Sequence, residues 1–235
     1  MNFPGARGGK MRKTNSVKIN KNYRMVLMSI MVAVSVLLGE VTPFRLPFGG
    51  TVTLFSQVPI IAVSWIFGVK WGCFAGLALG IVEMILGIGN FSYVNGLGAY
   101  ILLALLDYIL PFTILGLGGM IKGKMKNGAL EIAVGSVWVC VLRYACHFLS
   151  GIVLWNSNAP SKLISDIIKF SAAYNATYMV PETIITVIGA VIIERMILSK
   201  LDANGYYKGK GRKTDKNGSD KYGGFKGIKK NKADE

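Results

Sequence analysis

The chain has 235 residues, 52% of them hydrophobic, and a formal net charge of +15. Hydrophobicity and basicity seldom rise together in a soluble domain, so the two must be segregated along the chain. Residues 1–24 hold seven Lys/Arg and no acid, residues 200–235 hold eleven against five acids, and the stretch between is apolar. That pattern excludes an ordinary soluble domain and describes a membrane protein with basic ends.

The first 22 residues read as a basic cytoplasmic tail. They do not form a signal peptide: the basic region is long, the apolar run continues from Tyr23 to about Glu40, and no small-residue cleavage site follows. That run is the first spanning helix. Five further apolar segments follow, near 51–69, 71–88, 96–121, 130–155 and 173–198, each long enough for the roughly 17 to 25 residues a span requires. Pro43, Pro47 and Gly49-Gly50 separate the first two, Gly68 to Trp71 forms a very tight turn, and the runs KGKMKNG and NSNAPSK punctuate the rest. The expected fold is an all-α integral membrane protein in which residues 23–198 form a six-helix domain. Residues 199–235 make a basic, disordered tail, Gly- and Lys-rich and without apolar periodicity, beside anionic lipid.

Six helices place both termini in the cytoplasm with Lys70, Lys122, Lys124 and Lys126, leaving Arg45, Lys162 and Lys169 outside. This obeys the positive-inside rule, and an odd number of helices would put one basic tail outside. The expected location is the plasma membrane, with the lipid bilayer as solvent. Neither tail carries the interleaved aromatics or folded motif that turns charge into nucleic-acid recognition. Cys73, Cys140 and Cys146 fall in apolar segments without metal-ligand spacing and read as reduced thiols, so no metal is expected.

Ionisable groups in hydrocarbon cost on the order of 3 kcal/mol unless they are paired or face a cavity. Glu83, Asp107, Arg143, His147, Asn175 and Glu182 are therefore the informative residues. By helical rise, Asp107 lies roughly 16 Å below the outer end of helix 4, and His147 roughly 12 Å below Trp155. These depths suit a pocket in the outer half of the bundle. Arg143, His147, Gly151 and Trp155 recur at i, i+4 along one drifting stripe, with Gly151 expected to leave a notch between imidazole and indole. Such a notch suits a planar heterocycle, and a carboxylate from Asp107 or Glu83 suits a cationic one, with Trp155 and Tyr108 adding cation–π attraction. Each group also has a structural reading: the histidine as a packing hydrogen-bonder, Trp155 as an interfacial anchor, Asn175 as a cap. Arg143 and Glu182 look structural and are expected to form an ion pair between helices 5 and 6.

The sequence HFLSGIVLW followed by NAP, then FSAAYN and PE, preceded by LLDY, resembles the thiamine-binding S component of energy-coupling factor transporters. The resemblance covers roughly Met25 to Leu198. It implies a membrane subunit that captures thiamine from outside and is served by a transmembrane coupling subunit and two ATP-binding subunits. It further implies that Asp107 hydrogen-bonds the vitamin, that Tyr108 lines the pocket, and that His147 and Trp155 contact and stack on the ligand with Gly151 between them. Asn175 matches the family's ligand-binding asparagine. Phe170 stands where some members have tyrosine, so a hydroxyl contact is lost, and Asp107 is one methylene shorter than the glutamate of other members. An aromatic lid after helix 1 would be Phe44 or Phe48. Ser29 and Ala33 resemble the small-residue pair by which the family docks on its coupling subunit.

Thiamine joins a cationic thiazolium to an aminopyrimidine, so a binder wants an aromatic stack, a carboxylate and a few amide or imidazole groups. No cofactor is called for. The chain has no Walker A motif, so partners must hydrolyse ATP, and it lacks G-x-S-x-G and H-E-x-x-H, which argues against an enzyme. The alternative reading is a stand-alone secondary transporter for an organic cation, with Glu83 or Asp107 coupling protons; the lack of an obvious internal repeat speaks against it.

The assigned topology is directly testable. In a chain freed of its native cysteines, a cysteine at Lys124 is expected to ignore an impermeant thiol reagent applied to intact cells, while one at Asn156 reacts. The opposite pattern would exclude the arrangement.

Overall fold

The computed structural model describes residues 20–203, so the two basic tails lie almost wholly outside the described residues. Helix α1 (Lys21–Glu40) ends just before Pro43, whose ring disfavours helical geometry at the residue preceding it. A small hairpin follows, in which β1 (Phe44–Arg45) pairs antiparallel with β2 (Thr51–Val52), Phe44 opposite Val52 and Arg45 opposite Thr51. Its loop is a single 3-10 turn over Pro47–Gly49. Helix α2 (Val58–Phe67) starts with proline in its first turn, where no intrahelical donor is lost. Gly68 alone, at φ +94°, separates it from α3 (Val69–Leu86). This is the tight turn read from the sequence, and glycine is the residue that tolerates that φ.

A 3-10 stretch (Ile88–Tyr93) leads to α4 (Leu97–Ile121). The middle of α4, Ala104–Ile109, is a π-helical turn. It immediately precedes Pro111, which has no N–H to offer the carbonyls one turn back, so the ladder is already broken where the π turn forms. Helix α5 (Gly128–Val153) is capped by the Asn127 side chain, which accepts from the amides of Ala129 and Leu130 at 3.0 and 3.4 Å. Helix α6 (Ile164–Ile193) contains Pro181 and continues through a π turn to Ala203.

The helices alternate in direction. At one end of the bundle, Arg24 lies over the Phe67 ring, Lys122 donates to the Trp65 carbonyl at 3.1 Å, and Gly128 packs on the Glu194 carboxylate. At the other end the hairpin meets Asn90 and Tyr174, and Tyr93 meets Trp155. The described chain therefore enters near Arg24 at the same end as the 122–127 loop.

Close backbone contact fixes α4. Gly72, Gly76 and Gly80 form a stripe on α3, and a Cβ at Gly76 would come within 2.2 Å of the Phe112 carbonyl, one at Gly80 within 2.8 Å of the Tyr108 carbonyl. Small residues are the usual means by which helices approach in a bilayer, where no hydrophobic driving force separates helix from lipid. The distribution of polarity is correspondingly inverted. Val180, Ile184, Ile188 and Ile192 form an exposed stripe on α6, while Asn175, Glu182 and Thr186 on its other side are buried.

Two sequence expectations change. The segment 51–69 is not one span: Thr51–Val52 belong to the hairpin, and α2 has ten residues, about 15 Å of helix, half the hydrocarbon thickness. All ten are buried, so its apolar composition reflects packing among helices. Among the described residues, four helices (α1, α3, α4 and α5) have the length and apolarity to cross a membrane. The second change concerns α6, which begins at Ile164, nine residues before the expected start, and so takes in Lys169.

Gly76→Ala is expected to destabilise the protein by about 3 kcal/mol, because the new methyl meets backbone that cannot move alone. Gly98→Ala, with nothing within 4 Å of its would-be Cβ, should stay within about 1 kcal/mol of wild type. Thermal unfolding in detergent measures both.

Candidate functional site

A cavity of about 480 Å³ opens among α1, the hairpin and helices α3 to α6. Every residue singled out from the sequence for ligand contact lines it: Asp107, Tyr108, His147, Gly151, Trp155, Phe170 and Asn175. Arg143 and Glu182 line it too.

The π turn of α4 brings Asp107 and Tyr108 to the cavity side by side. Three donors from α5 and its end converge on the Asp107 carboxylate. His147 Nδ1–H donates to Oδ1 at 3.2 Å, and Oδ2 accepts from Ser150 Oγ at 2.8 Å and from Trp155 Nε1 at 3.1 Å. With Nδ1 donating, Nε2 of a neutral His147 remains an acceptor. The imidazole and carboxylate are 13% and 17% exposed, enough for both to meet a ligand in the cavity. Ser150 was not anticipated. It lies one turn before Leu154 and differs from the i, i+4 stripe by a single position, which is why that periodicity passed over it.

Tyr108 is held on the opposite side. Its hydroxyl accepts from Asn90 Nδ2 at 2.8 Å and donates to the Gly87 carbonyl at 3.1 Å, while Phe91 stacks on its ring at 6.2 Å between centroids. On α6, Asn175 Nδ2 donates to the Ser171 carbonyl at 2.9 Å and to the His147 carbonyl at 3.3 Å, and its Oδ1 accepts from Tyr178 at 2.7 Å. Because α6 begins early, Asn175 sits roughly 16 Å along it rather than near its end. Phe170 stacks on Tyr174 at 5.9 Å.

Tyr174 ties the hairpin to the bundle. Gly50 N–H donates to its hydroxyl at 2.9 Å, and that hydroxyl donates to the Pro47 carbonyl. Gly50 packs so tightly on Tyr174 and Tyr178 that a Cβ would lie 2.8 Å from each. Tyrosines 174 and 178 stand at i, i+4 within the quoted FSAAYN stretch and its continuation, so a face of α6 rich in phenols was present in the sequence and went unused. Phe44, one of the two lid candidates, is 70% exposed at the hairpin's edge.

Gly151 lines the cavity and also lets α5 and α6 touch, since a Cβ there would lie 2.1 Å from Ser171 Oγ. One expectation is corrected: Arg143 and Glu182 do not form an ion pair, and the paired groups in the cavity wall are His147 and Asp107. Arg143 places its guanidinium 5.0 Å from the Phe112 ring centroid, and Glu182 accepts from Thr53 Oγ1 at 2.8 Å instead. The hairpin and following turn, which the span expectation had absorbed, supply that competing donor.

The exposed pair Ser29 and Ala33 faces outward on α1, with Ser29 Oγ donating to the Met25 carbonyl at 2.9 Å. It contributes nothing to the cavity.

Comparison with known proteins places this architecture. Residues 25–201 match the family described as thiamine transporter protein (Thia_YuaJ). A thiamine transporter ThiT of Bacillus subtilis (strain 168) is 34% identical over 176 residues, covering 70% of this chain and 86% of that protein. One from Lacticaseibacillus paracasei is 26% identical over 144 residues, covering 57% and 68%. The solved structure of ThiT from Listeria monocytogenes superposes with a TM-score of 0.57 at 17% identity, over 79% of this chain and 99% of that one, a likeness of fold. With the helices, the apolar exterior and the match along nearly all the described residues in agreement, the chain belongs to the thiamine transporter protein family and is a membrane protein.

Proposed function

We propose that the chain is the thiamine-binding S component of an energy-coupling factor uptake system, with both termini cytoplasmic and the cavity open to the exterior. The observation that carries this reading is the Asp107 carboxylate, placed in the cavity with an imidazole and an indole hydrogen-bonded to it. An aminopyrimidine offers an amino donor to a carboxylate and a flat face to an indole, and a thiazolium offers a cation to aromatic faces. Asp107, His147 and Trp155 supply those partners; Tyr108, Phe170 and Asn175 line the remaining walls, and Gly151 brings α5 against α6.

Docking on a coupling subunit is assigned to α1. Its small-residue pair, Ser29 and Ala33, is exposed, so it is available to another helix rather than used within the chain. The energy comes from two ATP-binding subunits, because this chain has no phosphate-binding loop.

Titration of the purified protein with thiamine should change its intrinsic tryptophan fluorescence through Trp155. His147→Ala, Trp155→Ala, Asp107→Asn and Asn175→Ala should each weaken binding roughly ten- to a hundred-fold, as expected for about 1.5 to 3 kcal/mol. Wild-type affinity in all four would remove the site from this cavity. Replacing Ser29 and Ala33 with Trp should leave binding intact and abolish ATP-dependent uptake by the reconstituted complex; unchanged uptake would take α1 out of the interface.

A further inference from the structure

Beyond the Asp107 cluster the cavity wall carries a second set of charges, each from a different helix: Glu83 on α3, Arg143 on α5 and Glu182 on α6. Arg143 is 5% exposed, and its Nε and Nη1 are buried without a hydrogen-bond partner. Neither glutamate lies within bonding distance of it. Glu182, also 5% exposed, accepts from Thr53, which is linked to Ser56 at 2.6 Å. Glu83 receives no hydrogen bond among the described residues, and its Oε1 lies against the Gly39 backbone, where a Cβ would be 3.2 Å away.

Two carboxylates against one guanidinium leave one negative charge between membrane helices. The other groups facing this set do not cancel it. Glu40 at the end of α1 adds a like charge and is exposed, where Arg45 of the hairpin, engaged with Thr42 at 2.8 Å, offsets it at the mouth. From α4 comes Asp107, paired with His147 of α5, and the phenols of Tyr108, Tyr174 and Tyr178 are neutral. Glu83 is half-buried in the cavity wall, and a charge held between membrane helices without a counter-ion is neutralised by taking up a proton or a cation.

We infer that Glu83 holds one exchangeable proton while the cavity is empty of cation, and that a cationic ligand displaces this proton to solvent as it binds. The exchange balances: the carboxyl O–H breaks, the carboxylate remains as counter-charge to the ligand, and the proton leaves to bulk water. Glu182 accepts the Thr53 hydroxyl's hydrogen bond, and the Arg143 guanidinium lies over the Phe112 ring. The inference rests on the thiamine reading for its ligand, but the proton on Glu83 can be observed without any ligand.

The consequence for affinity has a definite sign. Because the free protein holds a proton that the complex lacks, binding of a cation tightens as pH rises, by at most about tenfold per unit, until Glu83 is ionised in the free protein. A neutral isostere of thiamine, with a thiophene in place of the thiazolium, leaves the proton in place and shows no such dependence.

Infrared difference spectra of the ligand-free full chain should show the carbonyl stretch of a protonated carboxyl that disappears in Glu83→Gln and on saturation with thiamine. Calorimetry in buffers of different ionisation enthalpy should give about one proton released per thiamine, none with the neutral isostere, and none from Glu83→Gln. Release that persists in Glu83→Gln, or equal release by charged and neutral ligands, would overturn the inference and point to His147. So would absence of the carboxyl band in the ligand-free protein. Should Glu83→Gln fail to fold, the comparison of the two ligands on wild type decides alone. Thiamine that does not bind at all, beside a carboxyl band that is present, would overturn the functional reading and leave the proton assignment supported.

Discussion

The contact between α3 and α4 is the constraint on which the rest of this structure depends. Gly72, Gly76 and Gly80 let the backbone of α4 lie directly on α3, so that Phe112 and Tyr108 carbonyls occupy the space where side chains would stand. On the other side of α4, Gly135 of α5 meets Gly118, where a Cβ would be 2.3 Å from its carbonyl. Pinned between two neighbours by backbone contact, α4 has little freedom to rotate, and Asp107 is thereby presented to the α5 donors. A side chain anywhere along those seams would separate helices whose polar groups need each other within about 3 Å.

The polar groups in turn explain why such tight seams are worthwhile. In water a misplaced carboxylate finds solvent; between membrane helices it finds only what the neighbouring helix offers. Asp107 finds three donors, Asn175 finds carbonyls of both α5 and α6, and Tyr108 finds Asn90 and Gly87. The exterior supplies the complementary condition, a surface of Ile, Val and Leu that needs no partner beyond lipid.

Much of this was legible from residue type. A mostly helical chain of apolar segments, the predicted ligand contacts that line the cavity, and a tight turn near Gly68 to Trp71 could be read, because charged residues in apolar runs and glycine at turns carry strong physical penalties elsewhere. Hydropathy could not separate a helix buried by protein from one buried by lipid, so α2 was taken for a full span. The start of α6 was hidden because Ser165, Asp166 and Lys169 look like loop residues until Ile164, Ile167, Ile168 and Phe170 are seen as the first two turns of the helix. Arg143 was misread because spacing along one helix says which residues share a face and nothing about what the next helix places there: Phe112 under the guanidinium, as Ser171 stands against Gly151.

The brevity of α2 has a consequence for how the protein reaches its final state. A ten-residue helix cannot bridge the bilayer, and with every residue covered it offers lipid no surface of its own. It packs against α1, α3, the end of α4 and α6, elements that lie on both sides of it in the chain. Membrane insertion during synthesis proceeds from the N-terminus, so α2 leaves the ribosome before most of its walls exist. Joined to α3 by Gly68 alone, it enters the bilayer as one arm of a helical hairpin. Its burial is completed only when α6, the last of the described helices to be made, closes against it.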